Sequence, residues 1–181
     1  MTKEAGLLKR AKTYDPVALA ELYDRYAPRM YTYIYRRVSD AALAEDLTSE
    51  LFLRMLQAIR NEQVWRDSFV AWLYRIAHNL VVDHYRRQPA APPVPLGEAL
   101  VASGDDPVAT TENGMTRERL RAAISCLTPE QQEALALRYG EGMTAREAAQ
   151  VLQKTPGAVE ALKHRGVAAL RRILAREASS R

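Results

Sequence analysis

The sequence predicts an all-α protein made of two small helical domains joined by a flexible linker. Three observations lead there. Helix formers dominate, β-branched runs are absent, and Gly and Pro fall at the expected element boundaries. Charge divides the chain: residues 1–90 carry 14 Lys/Arg and 11 Asp/Glu, residues 91–115 carry none and 4, and residues 116–181 carry 12 and 7. Aromatic residues divide it at the same place, since 12 of the 13 precede residue 90 and only Tyr139 follows. The domains are therefore read as 1–88 and 116–181, with residues 89–115 between them. That stretch contains Pro89-Ala90-Ala91-Pro92-Pro93-Val94-Pro95 and Ser103-Gly104-Asp105-Asp106-Pro107. Proline removes backbone donors, and the segment has too few apolar groups to pack, so it reads as a linker.

The first block yields four helices. Asp15-Pro16 opens one through about Tyr26, Pro28 opens a second through about Val38, Asp40 caps a third through about Ala58, and Ser68 caps a fourth to about Arg87. Asp or Ser ahead of a helix accepts bonds from its unpaired first amides, and Pro fits the first turn. On the third, Leu43, Leu47, Leu51 and Met55 recur at steps of four and predict one buried stripe. In the second block, Thr128-Pro129-Glu130-Gln131 and Thr144-Ala145-Arg146-Glu147 are capping boxes, and Thr155-Pro156 starts a last helix to about Ala175. The short helix 145–152 and the long one after it follow the helix-turn-helix plan, in which the first braces and the second enters the major groove.

Composition argues against several function classes. One cysteine, Cys126, excludes an intramolecular disulfide and a cysteine-rich zinc site. No apolar run approaches the roughly 18 residues of a membrane span, and Met1-Thr2-Lys3-Glu4-Ala5-Gly6-Leu7 lacks a signal-peptide core. The expectation is a cytoplasmic protein with no stable membrane insertion. A pI of about 9.3 and a net charge of +4 lean weakly towards a polyanionic partner. His78 and His84 are six residues apart, the wrong spacing for chelation along a helix, so no metal and no cofactor is expected.

Three patterns carry chemistry. On the last helix, Val159, Leu162, Gly166, Ala169, Leu170 and Ile173 form the packing face, while Glu160, Lys163, His164, Val167 and Arg171 lie opposite, flanked by Arg165 and Arg172. Cations there can bond phosphates or guanine edges. A helical hairpin with a solvated basic face has the same composition; the capping boxes, the tight turn and Ala148-Ala149 favour the DNA reader. Asp46 and Glu50 share one face of the third helix, beside the apolar stripe. They read as a mixed acidic and apolar docking surface, a solvated face being the bland alternative, and no neighbouring acid or histidine makes them catalytic. The fourth helix interleaves aromatics with cations, which suits melted DNA because bases stack on rings while cations follow the backbone. Arg75, Asn79 and Arg86 fall along one side; Phe69 and Trp72 read as core, with Tyr74 and Tyr85 open.

From about Val17 to Arg172 the chain resembles the extracytoplasmic-function (ECF) group of bacterial RNA polymerase sigma factors. The resemblance rests on Leu22-Tyr23-Asp24-Arg25-Tyr26-Ala27-Pro28-Arg29, Ala44-Glu45-Asp46-Leu47-Thr48-Ser49-Glu50-Leu51-Phe52-Leu53, Trp72-Leu73-Tyr74-Arg75-Ile76-Ala77-His78-Asn79, Asp83-His84-Tyr85-Arg86-Arg87, Leu127-Thr128-Pro129-Glu130-Gln131, Thr155-Pro156-Gly157-Ala158-Val159 and His164-Arg165, in that order. It implies a sigma region two at 1–88 and a helix-turn-helix region four at 116–181. It also implies a non-enzymatic subunit that binds core RNA polymerase at the β′ clamp helices and β flap, recognises promoter DNA and melts it. The implied polymerase contacts are Asp46, Leu47, Glu50, Phe52 and Leu53. The minus-ten contacts are Arg75, Asn79, Asp83, Tyr85, Arg86 and Arg87, with the loop at about Arg60–Asp67. The minus-thirty-five contacts are Thr155, Pro156, Glu160, Lys163, His164, Arg165 and Arg171. The linker would thread towards the active cleft and RNA exit path. An anti-sigma factor, cytoplasmic or membrane-tethered, is the implied inhibitory partner.

The chain departs from the family pattern at Ser49, where Gln is common, and at Glu160 and Leu162, where Lys and Arg are common. Glu160 would repel phosphates or accept from a cytosine amino group. A regulator with a similar helix pair that works without polymerase is the alternative, but such proteins usually carry an α/β receiver and the first block shows no strand pattern. A nucleic-acid enzyme would need a metal cluster, a phosphate-cradling glycine loop or an activated nucleophile, none of which the sequence displays.

Overall fold

The computed structural model describes residues 3–88 and 111–179. Every regular element among them is a helix. The chain divides into two units, Met1–Val94 and Pro95–Arg181.

Among its described residues the first unit holds four helices: α1 (Lys3–Lys12), α2 (Pro16–Val38), α3 (Ala41–Arg60) and α4 (Phe69–Arg87). The caps are those the sequence specifies. Asp15 accepts from Val17 and Ala18 amides at 2.9 and 3.3 Å, Asp40 from Leu43 at 3.0 Å, and Ser68 from Ala71 at 3.2 Å. The four helices are nevertheless a different four. α2 runs unbroken through Pro28, where the sequence reading placed a boundary, and α1 was not foreseen. An internal proline costs about 3 kcal/mol. Here it sits on the exposed side of α2, its carbonyl accepts from the Thr32 hydroxyl at 2.9 Å, and Leu22, Tyr26, Met30, Tyr33 and Ile34 continue one buried stripe across it. The packing of that stripe outweighs the lost backbone bond.

The buried line of α3 is Ala44, Thr48, Leu51, Phe52, Met55 and Ile59. Leu51 and Met55 behave as the four-step pattern predicts, but Leu43 and Leu47 are only half-buried, because a strict step of four drifts round a helix of 3.6 residues per turn. Thr48 is accommodated by donating its hydroxyl to the Ala44 carbonyl at 2.6 Å. An aromatic cluster fills the core beside α4. Phe69 meets Tyr26, Trp65 and Trp72 at centroid distances of 5.2, 4.7 and 6.0 Å, and Tyr74 stands edge-on to Tyr33 at 4.8 Å. Burying each of these rings contributes on the order of 2–3 kcal/mol.

The second unit contains α5 (Thr111–Ser125), α6 (Pro129–Leu135) continued by a π turn (Ala136–Gly140), α7 (Ala145–Leu152) and α8 (Pro156–Ser179). Most of the proposed linker lies outside the described residues, and its last five residues begin α5. Both capping boxes are formed, at Thr128/Gln131 and Thr144/Glu147. The π turn is closed by the Glu141 amide on the Ala136 carbonyl at 2.9 Å, and the chain then reverses at Gly142, whose φ of +67° suits glycine. Between α7 and α8 the turn is made by Gln153 in the left-handed region (φ 54°), and Thr155 caps α8 by accepting from the Ala158 amide at 3.1 Å. Gly166 lets α8 lie close on α6: a Cβ there would stand 3.1 Å from Leu135 Cδ1.

Candidate functional site

Three surfaces collect the residues that the sequence singled out. The first is the outer face of α3. Asp46 and Leu53 are exposed, Leu53 by 55%, and Leu47 is half-buried. Glu50 is half-buried and pairs with Arg54 one turn on, at 2.8 Å, so its charge is partly neutralised while that of Asp46 stands forward. Phe52 points inward at 4% exposure and packs edge-on to Tyr23 at 4.7 Å; it supports the surface from beneath. Tyr23 itself, on α2, is 49% exposed and adds an aromatic edge that sequence reasoning missed. Helical spacing on α3 alone held no signal for a residue contributed by α2. No helix among the described residues is long and apolar enough to cross a membrane, and no cluster of three or more His, Cys, Asp or Glu among them can hold a metal ion.

The second surface lies along α4. At 100° per residue, Arg75, Asn79 and Arg86 fall within a wedge of roughly 40°, with Asp83 at its flank. Arg75, Arg86 and Arg87 are exposed; Asn79, Asp83 and Tyr85 are half-buried. The aromatics do not join this face as stacking platforms. Phe69, Trp72 and Tyr74 are core at 3%, 8% and 0% exposure, which settles Tyr74 as structural. The Arg29 guanidinium lies 5.2 Å from the Tyr74 ring centroid. Tyr85 has a structural task too: its hydroxyl donates to the Arg37 carbonyl at 2.6 Å, tying the end of α4 to the end of α2. Tyr85→Phe is expected to cost about 1 kcal/mol of stability, read as a lower midpoint in urea with an unchanged slope.

The third surface is the helix-turn-helix, α7 with α8. Val159 and Leu162 are buried at 0% and 6%, so Leu162 belongs to the packing face. Pro156, His164, Arg165 and Arg171 are exposed, and the exposed Thr155 has its hydroxyl committed to the cap. Glu160 is the hub. Lys163 donates to its Oε2, His164 Nε2 stands 3.6 Å from the same oxygen, and Arg138 Nε lies 3.3 Å from Oε1. The Lys163 hydrogen bond is the largest influence; partial desolvation opposes it, and the charges of Lys163, Arg138 and His164 add to it. Together they hold the Glu160 carboxyl below its ordinary value of 4.5. Arg138 was not foreseen. It sits on the π turn, donates to the Met143 carbonyl, and so joins the turn before α7 to α8. Only the tertiary fold brings positions 138 and 160 together. Lys154 Nζ donates to Glu130 at 2.8 Å and fastens the turn between α7 and α8 to α6.

These elements define an all-helical protein of two units, the second of which carries a helix-turn-helix. Residues 22–90 match the family model of Sigma-70 region 2 and residues 117–170 that of Sigma-70, region 4, together more than half of the chain. The chain is 39% identical over 170 residues to the ECF RNA polymerase sigma factor BldN of Streptomyces coelicolor, covering 93% of this chain and 64% of that protein. It is 33% identical to the ECF RNA polymerase sigma factor SigE of Mycolicibacterium smegmatis, covering 88% of this chain and 62% of that one. This chain thus spans just under two thirds of the length of those two relatives. CnrH, solved in complex with the cytosolic domain of CnrY, shares the fold at a TM-score of 0.61 and 22% identity, over 93% of this chain and 94% of CnrH. The chain belongs to the sigma-70 family and is similar to its ECF members.

Proposed function

We propose that this protein is an alternative sigma factor. It binds core RNA polymerase through the outer face of α3, delivers it to promoters and holds the opened minus-ten strand with α4 and the loop before it. It reads the minus-thirty-five duplex with α8. The observation that carries this reading is the order of regions on one chain: an acidic and apolar docking face, a cationic helix and a helix-turn-helix, within region 2 and region 4 matches. The proposed partners are the β′ clamp helices for Asp46, Leu47, Glu50 and Leu53, supported by Phe52 and Tyr23, and the β flap for the second unit. Promoter DNA is the third partner. The protein has no catalysis of its own in this scheme, since the polymerase supplies the chemistry, and it needs no cofactor.

Exposed cations support the assignment of the nucleic-acid faces. Arg75, Arg86 and Arg87 follow the backbone of the melted strand while Asn79, with donor and acceptor, can meet a base edge. On α8, His164, Arg165 and Arg171 are the exposed donors to phosphate and base edges, and the positive end of the helix with Thr155 and Pro156 favours a phosphate. We place the protein in the cytoplasm, with an anti-sigma factor, free or membrane-tethered, as its inhibitor. Transcription from a cognate promoter by purified core polymerase, with and without this protein, is the test. Output that appears only with the protein supports the proposal; equal output in both overturns it.

A further inference from the structure

We infer that α1 sets the shape of the loop between α3 and α4, and that Lys12 is a positioning residue for minus-ten discrimination. This rests on the proposed reading of that loop. Residues 61–68 form the longest non-helical connection among the described residues of the first unit. Asn61, Glu62, Gln63, Arg66 and Asp67 are exposed, the residue types that can present donors and acceptors to an unstacked base. Backbone bonds fasten only the start of the loop to α3, from the Glu62 amide to Ile59 O at 3.1 Å and from Gln63 to Ala58 O at 2.8 Å.

Beyond Gln63, Trp65 is a buried anchor of the loop, which ends at Ser68, the cap of α4. The Trp65 ring is 5% exposed and meets Phe69 and Trp72 at centroid distances of 4.7 and 5.5 Å. Lys12 grips this residue twice. Its ammonium lies 4.9 Å from the Trp65 ring centroid and donates to the Trp65 carbonyl at 3.3 Å. One cation therefore fixes both the ring and the backbone of the loop, from a helix 53 positions earlier.

Lys12 is itself held in place. Leu7 and Ala11 of α1 are buried. The Tyr26 hydroxyl donates to Glu4 at 2.6 Å, and Arg10 pairs with Asp15, the cap of α2, at 2.7 Å. Tyr26 in turn touches Phe69 at 5.2 Å, so both ends of α1 bear on the aromatic cluster beneath the loop. Arg66 and Asp67 follow Trp65 directly, so a shift of Trp65 displaces the backbone that bears them. The Lys12 grip narrows the loop to one arrangement, and a narrowed loop discriminates between bases where a loose one adapts to several.

The experiment compares the full chain with Lys12→Met, which keeps the apolar stem, Lys12→Arg, which keeps the cation, and Lys9→Met, an exposed cation on the same helix. Three readouts are taken: affinity for core polymerase, transcription from the cognate promoter against single-base minus-ten variants, and acrylamide quenching of tryptophan fluorescence. Lys12→Met is expected to lower the cognate-to-variant ratio about threefold to tenfold. It should leave core affinity unchanged and make tryptophan more quenchable. Lys12→Arg is expected to restore both, and Lys9→Met to alter neither. An unchanged ratio with core affinity intact overturns the inference, as does quenching in Lys12→Met identical to wild type. Failure of the wild-type chain to support transcription overturns the proposed function instead, and quenching still reports whether Lys12 holds Trp65.

Discussion

Replacing Asp46 by arginine is expected to weaken binding to core RNA polymerase by about tenfold to a hundredfold. Asp46 projects from the outer face of α3 beside the exposed Leu53, and the neighbouring carboxylate of Glu50 is already engaged by Arg54. Reversal therefore removes the foremost negative charge of the surface and places a like charge against any basic partner face. The fold should survive, because Asp46 lies outside the buried line of α3 and arginine is a good helix former. The check is a titration of labelled protein with core polymerase, beside a thermal melt. An unchanged dissociation constant would remove α3 as the docking element.

Glu160→Gln is expected to act in the opposite sense on DNA. The carboxylate now holds Lys163 and Arg138 and faces His164, so the helix that should contact phosphate presents less positive charge than its sequence implies. Neutralising it should tighten binding to duplex of any sequence by about fivefold to tenfold at low salt and steepen the salt dependence by up to about 0.9 in log–log slope. Arg165→Ala, which removes an exposed cation, should flatten the slope by a similar amount. Binding measured against salt on cognate and random duplex separates the possibilities: a loss confined to the cognate site would mean that Glu160 reads a base.

The same residue predicts a pH dependence. A carboxyl held below its ordinary value when folded lends stability above that value, and the contribution is lost as pH falls through the folded value. Glu160, Glu130 beside Lys154, and Asp15 beside Arg10 are all lowered in this way, each chiefly by its hydrogen bond to the cation. Stability should hold from neutrality to about pH 5 and decline below it. Glu160→Gln should shrink that decline, a change read from melting midpoints across the acid range.

Local chemistry was the legible part of the fold. Asp15, Asp40, Ser68, Thr128, Thr144 and Thr155 all cap helices, because a cap needs only a side-chain oxygen and amides two or three residues away. What required the assembled core was less visible. Pro28 stops a helix by local rules, yet α2 passes through it because the stripe from Leu22 to Ile34 packs on both sides. α1 buries Leu7 and is tied by Glu4 to Tyr26 and by Lys12 to Trp65, contacts that no local rule encodes. Helical period puts Arg75, Arg86, His164, Arg165 and Arg171 at exposed positions, whereas Lys163 is largely covered beside Glu160, Tyr74 is core and Tyr85 a tether. Tyr23 and Arg138 are delivered to their surfaces by other elements, and no spacing within α3 or α8 encodes them.

The most direct measurement is a footprint of the promoter with core polymerase, the purified protein, or both, read together with permanganate reactivity of unpaired thymines. The account predicts protection of an upstream duplex segment and reactive thymines at the minus-ten element only when both are present. It further predicts that Asp46→Arg abolishes both signals at concentrations where the wild type gives them. A protein that protects the duplex equally without polymerase, with no strand opening when polymerase is added, would contradict it.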